Sequence, residues 1–328
     1  MKREYREYIT RYSKFDNFDN YMVGLLHNKF GQRFKSYREE WSKTMSHSFI
    51  PDFPLHLEFE TVDACNLSCE ICTRSYDKGN GEQLDFDLFK RIIDEASEYK
   101  LPAINFGNGG EPTLHKKIKE MVKYAKDKGV MDIMLGTNGQ FLSPQETVEL
   151  VKSGLSRITF SLDAESEEMY AKVREKDLKK VEKSIEAIIE YKKQNSLDIP
   201  FLRVSFCRYE KNREEAADFL NKWIDKVDYI DIQDYYTPPP KEGLSAISDI
   251  DVDPFICPQP WQRLSIYPNG DVAPCCSFYA KFLKLGNIKT SSLVDLWNSK
   301  GMKKLRDELK NKDYNIICKN CYGNRLKD

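Results

Sequence analysis

The chain has only four histidines in 328 residues, no long apolar run and almost no net charge. Each shortage removes a class of function. His27, His47, His56 and His115 are scattered, and none stands in an H-x-x-x-H or E-x-x-H arrangement, so no histidine-built zinc site is expected. No apolar stretch approaches the roughly 18 residues needed to cross a bilayer. The N-terminus, MKREYREYITRY, is charged and lacks the apolar core of a secretory signal, so a cytoplasmic location is expected. The 51 basic and 52 acidic residues leave a net charge of −1, which gives nucleic-acid binding no electrostatic support. The sequence shows no tandem repeat and no low-complexity tract.

What is present is ordinary in bulk and unusual in detail. Hydrophobic residues make up 40% and charged residues 31%, enough apolar material for a sizeable core. The length predicts one large domain with an appendage. Nine cysteines cannot all pair, and in a reducing compartment thiols are expected free, metal-bound or catalytic.

Residues 1–54 are aromatic and charged. Tyr5, Tyr8, Tyr12 and Phe15 recur at helical spacing, as do Phe30, Phe34, Tyr37 and Trp41. Two helices against the outside of the main domain are expected, with a contact surface for a partner as the alternative. From Leu55 strands alternate with helices. Strands are predicted at Leu55–Val62, Ala103–Phe106, Asp132–Leu135, Arg157–Leu162, Phe201–Phe206 and Tyr229–Ile232. Helices are predicted at Phe86–Tyr99, Lys116–Lys128, Pro144–Ser153, around Leu178–Ile189, and at Glu214–Lys226. Six strands so separated predict a parallel sheet, open or curved into a barrel, whose ligands bind at the carboxyl ends of the strands. Thr237–Gly243 contains three successive prolines and is expected to mark a domain boundary. Beyond it, Leu264–Tyr267 and Asp271–Ala273 flank Asn269-Gly270, a two-residue hairpin signal. Ser292–Leu309 reads as one helix.

Cys65, Cys69 and Cys72 directly follow the first predicted barrel strand. Thiolates select zinc or iron–sulfur clusters. A structural zinc ion would need a fourth nearby ligand, which the local sequence does not offer. Three thiolates instead suit a 4Fe–4S cube with one iron left open. C-x-x-x-C-x-x-C after the first strand of a β/α domain resembles the radical S-adenosylmethionine (radical SAM) superfamily. Gly107-Asn108-Gly109-Gly110-Glu111-Pro112 follows the second strand and resembles that family's G-G-E-P turn, whose backbone and acid hold the methionine amino group. Gly136-Thr137-Asn138-Gly139 follows the third strand. Ser161-Leu162-Asp163 follows the fourth and resembles the S-x-D segment near the ribose and carboxylate. Arg174 stands where many members place a cation for the carboxylate. Ile71 replaces the aromatic residue that often lies near the adenine.

The resemblance implies an α/β fold, a partial (β/α)6 TIM-like barrel over residues 55–240. An N-terminal helical extension occupies 1–54, and a small C-terminal α+β Fe–S domain occupies 241–328. It also implies reductive cleavage of S-adenosylmethionine to a 5′-deoxyadenosyl radical that abstracts hydrogen from a substrate carbon. An electron donor such as flavodoxin or ferredoxin would reduce the cluster.

Cys257, Cys275, Cys318 and Cys321 fit either a zinc ribbon or a fully ligated cluster by spacing alone. With Trp261, Ile266–Asp271, Leu285–Ile288 and Leu293–Trp297 they resemble the SPASM extension in its shortened twitch form. That resemblance implies one auxiliary 4Fe–4S cluster acting as an electron relay. Cys276 and Cys207 remain. Each is expected to be a buried thiol, with hydrogen-atom donation to a substrate radical as the alternative.

Arg203, Ser205, Asp231, Gln233 and Tyr235 alternate along the last two barrel strands and are candidates for a hydroxylated or charged small-molecule substrate. The expected reaction is dehydrogenation or epimerisation of a sugar, aminocyclitol or nucleotide-linked sugar. Modification of a ribosomally made peptide, or a non-enzymatic zinc-stabilised binding protein, are the alternatives.

Overall fold

The computed structural model describes residues 9–75, 77–235, 252 and 254–323. A short strand β1 (Ile9–Tyr12) precedes helices α1 (Phe18–Phe30) and α2 (Gln32–Thr44). The barrel then runs β2 (His56–Phe59), α3 (Phe86–Glu98), β3 (Ala103–Phe106), α4 (Ile118–Asp127), β4 (Asp132–Thr137) and α5 (Pro144–Lys152). It continues with β5 (Arg157–Ser161), α6 (Glu167–Arg174), α7 (Leu178–Gln194), β6 (Phe201–Arg208), α8 (Ala216–Trp223) and β7 (Tyr229–Asp234). The C-terminal part holds β8 (Arg263–Ile266), β9 (Asp271–Ala273), β10 (Gly286–Asn287), α9 (Leu293–Trp297), α10 (Lys300–Asn311) and α11 (Ile316–Gly323). The proline-rich boundary expected at Thr237–Gly243 lies outside the described residues, as do Tyr5 and Tyr8.

One mixed sheet unites these parts, in the order β1-β7-β6-β5-β4-β3-β2-β8-β9-β10. Strands β2 to β7 are parallel neighbours in chain order, the consequence of helical crossovers between them. One side chain in two along each strand faces those helices. Leu57, Phe59, Ile104, Phe106, Ile158, Phe160, Val204 and Ile230 share a buried core with Phe89, Met121, Val181, Ile185 and Phe219. Fully burying each such side chain contributes about 1.5–3 kcal/mol. Helix starts are fixed locally. Asp85 accepts the Leu88 N–H at 2.8 Å, and Ser143 and Glu146 form a capping box ahead of Pro144.

The other face of the strands carries charge in pairs. Asp132 accepts Arg157 Nε at 3.0 Å, and Glu58 accepts Arg263 Nη1 at 2.5 Å and Asn105 Nδ2 at 2.7 Å.

The N-terminal extension differs from expectation in placement. Tyr12 ends a strand, because residues 9–12 pair antiparallel with β7 and cover its edge. Helices α1 and α2 do not lie outside the helical layer. Phe18, Met22, Leu26, Phe34 and Tyr37 pack on Ala103, Phe201 and Tyr229, the strand face opposite α3–α8 at its amino end. The Phe18 ring stacks on Tyr229 at 4.3 Å. An aromatic plug in a barrel mouth looks, in sequence, like any amphipathic helix.

Two local expectations are corrected. The segment Ser292–Leu309 breaks at Asn298-Ser299, where Ser299 is extended and caps α10 by accepting the Met302 N–H at 3.2 Å. In the β8–β9 hairpin, Pro268 and Asn269 are the central residues of a turn closed by the Gly270 N–H on Tyr267 O at 2.9 Å. Gly270 itself takes the left-handed position, φ +87°.

Candidate functional site

The loop after β2 brings Cys65, Cys69 and Cys72 to the carboxyl end of the sheet. Its shape is set by charge. Arg74 bridges the carboxylates of Glu60 and Asp63, and Asp63 also accepts the Asn80 N–H at 3.1 Å. The Cys72 N–H closes on Cys69 O at 3.0 Å. The backbone N–H of Arg74 approaches Cys72 Sγ at 3.4 Å, and Asn138 Nδ2 approaches Cys65 Sγ at 3.6 Å. Donors aimed at sulfur suit thiolate rather than thiol.

Burial, helped by Glu111 and the neighbouring Cys72 and Cys69, pushes the Cys65 thiol up to about 11. Burial also raises Cys69, with Arg174 opposing it. Thiols this desolvated ionise together only when a metal centre compensates their charge. Among the described residues, no three Cys, His, Asp or Glu side chains converge as one metal ion requires.

The strand-end motifs gather around this loop. Gly109 has φ +76°, and a Cβ there would strike the Glu60 carboxylate. A Cβ on Gly110 would overlap Val62 O and Ala64 O. Glu111 is 3% exposed, and burial raises its pKa against the hydrogen bonds it accepts. Those come from Thr113 Oγ1 at 2.6 Å, Thr137 Oγ1 at 2.7 Å and the Asn138 N–H at 2.8 Å. The acid therefore ties the ends of β3 and β4 together. Asn138 in turn donates to Asn66 Oδ1 at 2.8 Å on the cysteine loop.

Asp163, at φ +61°, accepts the Cys207 N–H at 2.7 Å and pairs with Arg174. Burial pulls the Arg174 pKa down, but Asp163 and Cys69 outweigh it and raise the net value. Arg174 Nε is buried and has no hydrogen-bond partner, so the guanidinium keeps a donor for a bound anion. Ser161 ends β5 beside Ser205 of β6, and Ile71 is half-buried on the cysteine loop.

The C-terminal thiols share one cavity. Cys257, Cys275, Cys318 and Cys321 line one cavity of about 120 Å³, closed by Leu305 and Tyr322. Burial raises Cys275 far above the usual thiol range, and Cys321, Cys276 and Cys257 add to it. Burial, with Cys257 and Cys321, likewise raises Cys318. Four thiols around one largely apolar cavity fit a fully ligated cluster.

Cys276 lines this cavity and also a second one of about 380 Å³. That second cavity is bounded by Thr73 and Arg74, which follow the first cysteine loop, and by Gly109, Tyr267 and Ser277. Lys281 of the C-terminal part pairs across it with Asp77, at 2.6 Å.

The residues expected to hold substrate do not meet there. Asp231 is 2% exposed and is gripped by Arg11 of β1 through two bonds of 2.8 and 2.9 Å, with Arg203 Nε at 3.2 Å. Those three stabilise the sheet edge. Ser205 stands opposite Asp231 in the register, and Gln233 opposite Cys207. The Tyr235 N–H donates to Arg208 O at 2.9 Å, and its ring stands 6.1 Å from Tyr209. Burial pushes the Cys207 thiol up to about 12, with Asp163 reinforcing it, so it stays protonated.

Sequence reasoning missed Arg11, Arg74 and Asn212. Asn212 is fully buried and donates to Asp163 O at 2.8 Å and Cys207 O at 2.9 Å. An asparagine six residues after a predicted strand was the available signal.

Comparison with known proteins agrees with this geometry. Residues 59–220 match the radical SAM superfamily, and residues 257–322 match SPASM, an iron-sulfur cluster-binding domain. The chain belongs to the radical SAM superfamily and ends in a SPASM domain. A tungsten-containing aldehyde ferredoxin oxidoreductase cofactor-modifying protein of Pyrococcus furiosus is 35% identical over 109 residues, which is 33% of this chain and 30% of that protein. The match thus spans under a third of that relative. BtrN, solved in complex with AdoMet and 2-DOIA, shares the fold with a TM-score of 0.54 at 18% identity, over 81% of this chain and 91% of that one. Streptococcus suis SuiB, solved bound to precursor peptide SuiA, shares it with a TM-score of 0.59 at 16% identity, over 83% and 70%. No helix among the described residues is long and apolar enough to cross a membrane.

Proposed function

We propose that this radical SAM enzyme carries two 4Fe–4S clusters and dehydrogenates or epimerises a small hydroxylated substrate, a sugar, aminocyclitol or nucleotide-linked sugar. Cys65, Cys69 and Cys72 hold the first cluster, and Cys257, Cys275, Cys318 and Cys321 hold the second. The observation that carries this reading is that those last four thiols line one cavity, and that Cys276 is shared between it and the neighbouring space of about 380 Å³. When bound, the clusters and S-adenosylmethionine supply the one-electron chemistry that breaks a carbon–hydrogen bond.

The protein's own part is orientation. Arg174 and Asp163 offer a buried charged pair to the cofactor's amino-acid end. Gly109 and Gly110 let backbone approach closely, and Glu111 holds the loops that surround it. The substrate occupies the space between Gly109 and Tyr267, within reach of Cys276. An electron donor such as flavodoxin or ferredoxin reduces the centres.

Anaerobic reconstitution should give about eight irons per chain for two such clusters. Dithionite should then release 5′-deoxyadenosine, and Cys65→Ala should abolish it. A chain holding zinc and no iron rejects the enzyme reading. Reaction in deuterated water separates the two chemistries, since epimerisation through a thiol places solvent deuterium in product. Turnover of a precursor peptide and of no small molecule would move the substrate class to peptides.

A further inference from the structure

The segment after α2 reaches across the molecule to the C-terminal thiols. Gln262 donates to Thr44 Oγ1 at 2.9 Å, in a buried contact. Trp297 Nε1 donates to Pro51 O at 2.8 Å. Between these anchors stands His47, in the left-handed region at φ +59°. Its ring lies flat on Trp261, with centroids 3.8 Å apart and planes within 5°. Its Nε2 is 3.0 Å from the carbonyl oxygen of Cys257. A carbonyl only accepts, so this nitrogen carries the hydrogen and donates. Trp261 is 1% exposed and belongs to the cluster of buried side chains against which Cys257 and Cys318 pack. One side chain thus touches both the backbone of one thiol residue and an indole of the cluster against which two of them pack.

A non-glycine residue held at positive φ persists where its surroundings over-determine it. The stack and the hydrogen bond are those surroundings, and both point at the auxiliary site. We infer that His47 is a positioning residue for the auxiliary cluster: it fixes the Cys257 backbone and Trp261, so that the N-terminal extension is a brace for that centre. This rests on the reading of Cys257, Cys275, Cys318 and Cys321 as its ligands.

The test uses the full chain carrying Cys65→Ala, Cys69→Ala and Cys72→Ala, which keeps only the auxiliary centre. This parent should bind about four irons after anaerobic reconstitution. His47→Ala, lacking both ring and donor, should retain less than half of that iron. His47→Phe keeps the stack and loses the donor; it should retain the iron but shift the midpoint potential and the paramagnetic-resonance signal of the reduced cluster. His47→Gln restores a donor at similar reach and should return the potential toward that of the parent. A role in overall folding alone predicts normal potentials in whatever variant protein folds. Equal iron and equal potential in all three variants would overturn the inference. A parent that binds no iron overturns the ligand reading itself, and the inference with it.

Discussion

Glu111 accepts the backbone N–H of Asn138 at 2.8 Å, joining the loop after β3 to the loop after β4. Its other oxygen serves Thr113 and Thr137. The acid of the G-G-E-P turn thus orders the two loops on which the cofactor site depends. Glu111→Gln replaces one acceptor by a donor and sets N–H against N–H in a buried place. Such a mismatch costs about 1–3 kcal/mol. A lower melting temperature should accompany slower release of 5′-deoxyadenosine; an unchanged melting temperature would contradict the network.

Gly110 has no room for a side chain, because a Cβ would overlap Val62 O and Ala64 O. Backbone cannot swing aside as a long side chain can. Gly110→Ala should therefore displace the cysteine loop, and iron should fall from about eight to about four per chain. The remaining iron should belong to the C-terminal thiols, so adding Cys318→Ser should remove it.

Asp231 and Arg11 form a two-bond pair that closes the sheet edge. Removing one partner of a buried pair typically costs about 3–5 kcal/mol, and the 38% exposure of Arg11 brings this one below that range. Asp231→Asn should lower stability by about 2–3 kcal/mol in urea unfolding. It should leave the substrate KM near normal in protein that remains folded. A raised KM with unchanged stability would return Asp231 to the substrate site.

His56 is buried, and burial, with Arg263 and Arg157, lowers its pKa well below the usual value. The folded chain therefore keeps it neutral while the unfolded chain takes up a proton near pH 6.5. Its stabilising share is present above pH 6.5 and is lost as pH falls below it, at up to about 1.4 kcal/mol per pH unit. Unfolding measured between pH 7.5 and 5.5 should show this slope, and His56→Gln should flatten it. An identical slope in the variant would assign the pH dependence to other groups.

The strand–helix alternation was readable because the pairs Leu57/Phe59, Ile104/Phe106, Ile158/Phe160 and Val204/Phe206 each show the two-residue period of a buried strand face. Turn glycines and prolines bounded the elements to within a few residues. The triad Cys65, Cys69 and Cys72 was readable because its members are neighbours in the chain. The breaks at Ser299 and at the Pro268-Asn269 turn were not, since competing local signals there differ by little energy.

The sequence by itself determined which chemistry the chain can host, through the spacing of its thiols and the order of its strand-end motifs. The tertiary structure alone decided which polar residues remain available for it. Asp231 reads in sequence as a candidate substrate ligand; in the fold, register places Arg11, 220 residues away, opposite it. His47 was an ordinary histidine until folding laid it on Trp261. Periodicity records whether a residue is buried, but the partner that satisfies a buried charge or ring is set by contacts between distant segments. Those contacts exist only once the sheet has formed.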